Sequence, residues 1–399
     1  MAAPRRVRIG IIGAGFAARL HLENYALVHG VEVEIAGVYS PTEERSRHLA
    51  AHFGDFTIYP TADDLLGDPT IDLVDLCVPN SQHVPLIVRC AEAGKHVVCE
   101  KPLTGFFGDG EPKVGDRFGR AEMLSGALAN ADRALDALAQ AGKRLHYAEN
   151  WVYSPNIRKA ARLIERSGST ILRLVGEESH SGTHSPYARQ WRFSGGGSLF
   201  NKGCHPLGAA LALKYAEGER RHGKPIRPAS VVASVASLTK LSAFEAEAEK
   251  FIRTGWEDCE DWGSLLLTFD DGTVAQITAA DITLGGIQNV FSVYGTRAVV
   301  HANNVPNTTV VAYTPRDGIF GDEYIREKVE TTGGWQFTSG DEHWMNGFPA
   351  ELQDFCTAVA ADREPVSGAM LARDVVLVSY GAYLAAAEGR AVELGALVR

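Results

Sequence analysis

The run Gly10-Ile11-Ile12-Gly13-Ala14-Gly15-Phe16-Ala17-Ala18 constrains this chain more than any other feature. It continues a short apolar stretch at 7–12 and opens a helical pattern at 16–28. Gly13, Gly15 and Ala18 carry the spacing G-x-G-x-x-A. Gly13 permits a tight turn, Gly15 lets backbone approach a pyrophosphate, and Ala18 lets a helix lie close on its strand. Alone, that spacing is a weak signal. Here a second strand pattern follows at 31–39, which makes the unit a βαβ dinucleotide signature of ~30 residues. Phosphates are expected on the helix N-terminus, with Phe16 and Ala17 in its first turn.

The alternation continues to about residue 150. Helical patterns lie at 42–53, 61–66 (opened by Thr61), 81–93 and 130–140, and strands at 71–78, 95–99 and 144–148. Strands separated by helices mean a parallel sheet. From 151 the pattern changes. Helices are expected at 157–165 and 201–215, and strands at 171–177, 230–237, 264–269, 274–280, 289–295 and 298–301. Asp270-Asp271-Gly272 reads as a hairpin turn. Helices return at 349–361 and 370–387. The expected fold class is α/β: an N-terminal doubly wound (Rossmann) parallel sheet over 1–150, then a C-terminal α+β domain with an antiparallel sheet over 151–399. One stretch interrupts this order. Residues 105–120 hold five glycines and Pro112, and are expected to form either a surface or oligomer arm or an active-site lid.

Composition excludes several classes. At 45% hydrophobic and 22% charged over 399 residues, the chain is an ordinary globular sequence. A net charge of −10 argues against nucleic acid or an anionic membrane surface as partner. No uninterrupted apolar run approaches the ~20 residues of a membrane span. Six scattered cysteines without a CxxC fit reduced thiols and a cytoplasmic setting.

An NAD site usually places an acid at the end of its second strand. Here Val38-Tyr39-Ser40-Pro41-Thr42 offers none. Ser40 and Thr42 can hydrogen-bond a 2′-hydroxyl or a 2′-phosphate, and Arg45 can pair with phosphate. The cofactor is therefore expected to be NAD or NADP. Pro79, Asn80 and His83 follow a later strand, at the sheet edge where nicotinamide and its ribose rest. His83 is read there as a structural or ribose-side contact rather than a catalyst. Residues 178–192 are rich in polar and aromatic side chains and are expected to line the substrate cleft, with His184, Trp191 and Arg192 facing substrate. His180 and His184 have the spacing of zinc ligands but lie in a loop, and no metal is expected. Tyr153 and Arg158 are expected on the substrate side. The acidic and aromatic run from Trp256 to Trp262 is expected to be a solvated edge or an interface.

The segment Gly94-Lys95-His96-Val97-Val98-Cys99-Glu100-Lys101-Pro102-Leu103 resembles the AGKHV-x-x-EKPL segment of the Gfo/Idh/MocA family, the group of glucose–fructose oxidoreductase and inositol dehydrogenase. Pro79-Asn80 with His83, and Glu149-Asn150 with Ser154-Pro155, fit the same family. Gly195-Gly196-Gly197-Ser198-Leu199-Phe200-Asn201-Lys202-Gly203-Cys204-His205 looks like its GGG-x-L-x-D-x-G-x-H segment. The resemblance spans most of the chain. It implies a two-domain enzyme whose second domain carries a large, open, mostly antiparallel sheet used for homodimer or homotetramer contacts. It also implies NAD(P)-linked oxidation or reduction of a sugar, glycoside or cyclitol hydroxyl.

On the resemblance, the family's catalytic lysine falls on Lys101 and its acid–base histidine on His205, with Glu100 beside the cofactor. Its Asp falls on Asn201, a departure. An amide cannot take a proton, but it can hydrogen-bond a substrate hydroxyl or cap a helix. Asn201 and His205 are spaced i, i+4, which on one helix turns both toward one cleft. Hydride transfer from a carbinol needs a base for the hydroxyl proton and a charge facing the developing alkoxide; His205 and Lys101 supply these. Two other readings use the same residues: transient oxidation followed by elimination of a glycosidic group, and a nucleotide-binding regulator without chemistry.

Overall fold

Val7, Ile9, Ile11 and Ile12 are buried on both faces of the first strand, as a strand inside a parallel sheet covered on both sides requires. The computed structural model describes residues 6–183, 185–306, 308 and 310–399. Its first sheet contains β1 (Arg6–Ile12), β2 (Glu32–Tyr39), β3 (Thr57–Ile58), β4 (Leu73–Leu76), β5 (His96–Glu100) and β6 (Leu145–Ala148). Their order is β3-β2-β1-β4-β5-β6, and every pairing is parallel. The order reverses between β1 and β4, which makes the crevice outside their carboxyl ends the ligand-binding edge. The short helix Ala62–Gly67 carries the cap that Thr61 announced: Thr61 Oγ1 accepts the Asp64 N–H at 3.1 Å and the Asp64 carboxylate accepts the Thr61 N–H.

Two expectations change here. The helix expected at 130–140 runs over Arg120–Gln140, burying Met123, Leu124, Ala127, Leu128, Ala131, Ala134 and Leu138 along one stripe. The glycine-rich 105–120 stretch is neither a free arm nor a free lid. It forms a short helix, Val114–Arg117, and is tied to the second domain. The Gly115 N–H donates to Asp258 Oδ2 at 2.9 Å, and the Phe106 N–H donates to Tyr380 Oη at 2.7 Å.

The second sheet contains β7 (Ile171–Ser179), β8 (Pro228–Ala236), β9 (Trp262–Phe269), β10 (Val274–Ala280), β11 (Gln288–Gly295) and β12 (Val299–His301). A separate ladder pairs β13 (Val310–Thr314) with β14 (Gly334–Thr338), and β15 (Val392–Glu393) closes one edge. The order is β12-β11-β7-β10-β9-β8-β15, with β7–β10 parallel and the other pairings antiparallel. The helices Cys204–His222 and Ala369–Glu388 pack on one face of this sheet. The acidic run at 256–262 is buried rather than solvated: Trp256, Asp258, Cys259, Glu260 and Asp261 are all inside.

The C-terminal helices serve both units. Phe348–Ala361 packs on β1 and on the helix Phe16–Tyr25, and Ala369–Glu388 packs on the helix Arg120–Gln140 as well as on β8. The segment between them reaches β6, where the Tyr147 N–H donates to the Ser367 carbonyl at 3.0 Å. Ala369–Glu388 is, by length and composition, apolar enough to cross a membrane, which the apolar runs of the sequence did not suggest. In the fold it is a core helix, 78% buried over its apolar window.

Candidate active site

At the switch point, Gly13 adopts φ +110°, and a Cβ there would stand 2.1 Å from the Cys77 carbonyl oxygen. Its N–H donates to the Tyr39 carbonyl at 2.8 Å. Gly15 differs. A Cβ on it would meet nothing within 4 Å, so protein packing does not demand glycine there. What its absent side chain keeps clear is the approach to the helix Phe16–Tyr25. Gly15 is that helix's N-cap, it supplies no side-chain cap, and the first turn holds no acid. The first amides of the helix therefore face an open, electropositive space that suits a pyrophosphate. Ala18 is buried against the strand, Ala17 half-buried, and Phe16 is 78% exposed beside the space. Ser40 is half-buried at the end of β2, with Thr42 and Arg45 exposed beyond it. The residues present fit NAD(P).

Lys101 follows β5 directly. Its Nζ donates to the Asn201 carbonyl at 3.2 Å, leaving further ammonium protons for a ligand. Burial works against the charge, but Cys204 and the carboxyls of Glu178, Glu100 and Glu149 outweigh it and hold the lysine above its ordinary pKa. Glu100, expected to touch cofactor, braces the end of β5 from within the protein. One oxygen accepts the Lys101 N–H at 3.0 Å, and the other lies 3.2 Å from His21 Nε2. The far nitrogen of His21 lies 2.8 Å from Asp75 Oδ2, and Tyr25 Oη donates to the same oxygen at 2.9 Å. Burial opposes charge on His21, yet Asp75 and Cys77 hold its pKa well above the ordinary value.

His205 lies in the first turn of Cys204–His222, buried with its ring stacked on Trp151 at 6.0 Å and 17°. Nδ1 lies 2.8 Å from Glu149 Oε1, and Nε2 lies 3.7 Å from Glu178 Oε2. Burial, then the ammonium groups of Lys101, Lys202 and Lys328, push its pKa well below the ordinary value. Burial pushes Glu149 well above its own. The two groups therefore titrate as a pair. Deprotonated, the pair has Nδ1–H donating to the carboxylate and Nε2 open as a base. Protonated, it presents a proton at Nε2.

Several expected contacts are corrected. Asn201 ends the short helix Ser198–Asn201, and the chain breaks at 202–203 before His205. The two do not share a helix: the Gly203 N–H donates back to the Ser198 carbonyl at 3.2 Å, and only glycine fits there, since a Cβ would lie 2.1 Å from the Leu199 carbonyl oxygen. The Asn201 amide donates to the Gly196 and Gly197 carbonyls at 2.6 and 3.1 Å and accepts from Asn80 Nδ2 at 3.2 Å, so it neither caps a helix nor extends toward His205. Asn80 also donates to the Ser194 carbonyl at 2.8 Å, which joins the two domains at the cleft. Pro79 is exposed at the rim. His83 is not free for ribose: its nitrogens lie 3.0 Å from the Val78 carbonyl and 3.1 Å from those of Pro102 and Leu103. Tyr153 is a core residue, donating to Asp354 Oδ2 at 2.8 Å and accepting from the Ser367 N–H at 2.9 Å. Trp191 is buried between Arg120, Tyr380 and Tyr383 rather than lining the cleft. Arg192 is half-buried and borders a groove of about 570 Å³ with Ser81, Thr104, Phe106, Asn130 and Phe193. Arg158 is exposed on its helix, and His184 lies outside the described residues.

Residues 7–111 match the family described as oxidoreductase family, NAD-binding Rossmann fold, and residues 157–301 match the GFO/IDH/MocA C-terminal domain. The chain belongs to the Gfo/Idh/MocA family. Myo-inositol 2-dehydrogenase of Thermotoga maritima is 23% identical over 397 residues, covering 97% of this chain and 98% of that protein. Inositol 2-dehydrogenase 1 of Saccharopolyspora erythraea is 35% identical over 105 residues, 26% of this chain and 31% of its own. The crystal structure of GenD2 from gentamicin A biosynthesis, in complex with NAD, superposes with a TM-score of 0.78 at 25% identity, covering 98% of this chain and 96% of that one. Levoglucosan dehydrogenase in complex with NADH and L-sorbose shares the fold, with a TM-score of 0.72 at 18% identity over 98% of this chain and 99% of that one. This Gfo/Idh/MocA protein is an NAD-binding oxidoreductase.

Four buried groups beside these side chains were given no role by the sequence: Glu149, Glu178, Lys202 and His21. Lys202 is buried and paired with Asp281 at 2.6 Å. The signal for the His21 network was present in Leu73-Val74-Asp75-Leu76, since a carboxylate inside an apolar strand requires a buried partner.

Proposed function

We propose that this enzyme oxidises or reduces a secondary alcohol or ketone of a sugar, glycoside or cyclitol, with Lys101 and His205 at the reacting oxygen. The observation that carries the proposal is the histidine whose Nδ1 is engaged by Glu149 while Nε2 is left to the cleft, with the Lys101 ammonium close enough to depress its pKa. Bound NAD(P) supplies the hydride acceptor or donor. In the oxidative direction His205 Nε2 removes the hydroxyl proton, and the Nδ1 proton is held against Glu149. Lys101 hydrogen-bonds the same oxygen and stabilises its negative charge. Trp151 fixes the plane of the imidazole. The names of the inositol and sugar dehydrogenases among its relatives support the polyol class. Asn201, with its side chain committed to backbone carbonyls, orients the loop that receives Lys101. A homodimer or homotetramer through the open face of the second sheet, in a cytoplasmic setting, completes the proposal; that face exposes Val232 and Leu266, and the six cysteines are unpaired.

The test is to identify the nucleotide carried by the purified protein, then to follow reduced-nicotinamide absorbance over a panel of sugars and cyclitols. Lys101→Ala and His205→Asn should each lower kcat by about 10²–10⁴ while NAD(P) still binds. Undiminished turnover in both variants would overturn the assignment. Glycoside cleavage without net NADH would replace it with oxidation and elimination.

A further inference from the structure

We propose that Glu178 is the proton-relay group that takes from His205 Nε2 the proton removed from the substrate. This inference rests on the reading of His205 as the acid–base group. Glu178 is the penultimate residue of β7, buried, and its Oε2 is 3.7 Å from Nε2, on the ring edge opposite Glu149. That gap is too long for a direct hydrogen bond, and so leaves the nitrogen free to meet a hydroxyl. It is short enough for the proton to pass on once the ring or a bridging oxygen shifts. Asn201 cannot serve, because an amide does not accept a proton and its own donors are spent on Gly196 and Gly197. Glu149 lies behind the ring and can share only the Nδ1 proton.

The surroundings suit a carboxyl that loads and unloads near neutrality. Burial raises Glu178 to about 7, Glu327 adds to the rise, and the ammonium groups of Lys101, Lys202 and Lys328 restrain it. The groups around the histidine and this carboxyl are Lys101 at the end of β5, Glu149 beyond β6, Lys202 and Cys204 at the helix break, and Glu327 with Lys328 in the loop before β14. Lys328 Nζ also lies 2.9 Å from His180 Nε2, which brings that loop onto the end of β7. In the relay step the Nε2–H bond breaks and an Oε2–H bond forms. An imidazolium and a carboxylate become a neutral imidazole and a neutral carboxyl, without change of oxidation state. The carboxyl then releases its proton to water.

Glu178→Gln keeps shape and removes the acceptor, and Glu178→Asp keeps the acceptor one carbon further back. The expected result for Glu178→Gln is a kcat lowered about 10–10²-fold with the KM for cofactor unchanged. The kcat profile should also lose its limb near pH 7, and Glu178→Asp should restore part of the rate. In cofactor-free protein, the ¹⁵N resonance of His205 Nε2 should register a titration near pH 7 in the wild type and lose it in Glu178→Gln. An unchanged pH profile, or an Nε2 resonance indifferent to the substitution, overturns the relay. Should His205→Asn abolish turnover while Glu178→Gln behaves as wild type, the relay alone fails. Should His205→Asn turn over normally, the reading beneath it fails.

Discussion

Gly13 and Gly15 look alike in the fingerprint and differ in what they do. Gly13→Ala would press a methyl onto the Cys77 carbonyl from a left-handed φ, and should cost at least ~2 kcal/mol of stability. Gly15→Ala has room within the protein. It should unfold like the wild type but bind NAD(P) about tenfold more weakly, a change of ~1.4 kcal/mol. Thermal unfolding beside calorimetric titration separates the two; equal loss of stability would refute the distinction. At this scale the sequence marked Lys101 and His205 as candidates, because each stands in a local string of recognisable residues. It gave no sign that Glu149 and Glu178 would flank one imidazole, a proximity that arises only when distant segments come together. It misplaced Tyr153 and Trp191 because an aromatic side chain in a polar run reads the same whether it lines a cleft or fills a core.

Elements were legible where hydrophobic period decides them. The parallel sheet, the Asp-Gly hairpin between β9 and β10, and both long C-terminal helices follow from spacing alone. The break at 202–203 was not legible, since it depends on the Gly203 N–H closing back on the Ser198 carbonyl. Nor was the role of the acidic run at 256–262, where charge suggested solvent and burial made the carboxylates acceptors. Asp258 takes the N–H of Gly115 and that of Trp191, each at 2.9 Å. Asp261 takes the N–H groups of Leu238 and Thr239 at 2.7 and 2.8 Å. Orphaning a buried amide costs ~1–3 kcal/mol. Asp258→Ala should therefore destabilise the protein by about 2–4 kcal/mol and open 105–118 to proteolysis, whereas Asp258→Asn, which keeps one acceptor, should lie between. Unchanged cleavage kinetics in Asp258→Ala would show that the stretch is held by its apolar contacts alone.

At the scale of the molecule, buried carboxyls set the response to pH. Glu260 accepts the Leu199 N–H at 3.0 Å and the Tyr383 O–H at 2.8 Å, and burial lifts it to about 7. The folded state then keeps a proton that the unfolded chain releases near ~4.3, so stability falls as pH rises between those values. Glu260→Gln should flatten that fall by up to ~3 kcal/mol in paired denaturation series from pH 4 to 8; parallel curves would refute it. The second sheet carries another whole-molecule prediction. Val232 and Leu266 face each other across β8 and β9, 39% and 41% exposed, in a row that continues through Gln276 and Val175. Leu266→Glu should lower the solution mass measured by light scattering toward one chain without lowering the unfolding temperature. A wild type that already weighs one chain would remove the proposed assembly.

The last two helices give the two walls of the crevice a common backing. A polypeptide whose helix Phe348–Ala361 lies on its first strand and helix, and whose Ser367 caps the edge of β6, should not yield a self-sufficient nucleotide module when cut near 150. Chimaeras with related dehydrogenases should therefore exchange head and tail together and leave the intervening portion as the interchangeable part. For the same reason, NAD(P) binding should shift rim loops while leaving the angle between the halves unchanged, which small-angle scattering with and without nucleotide would check.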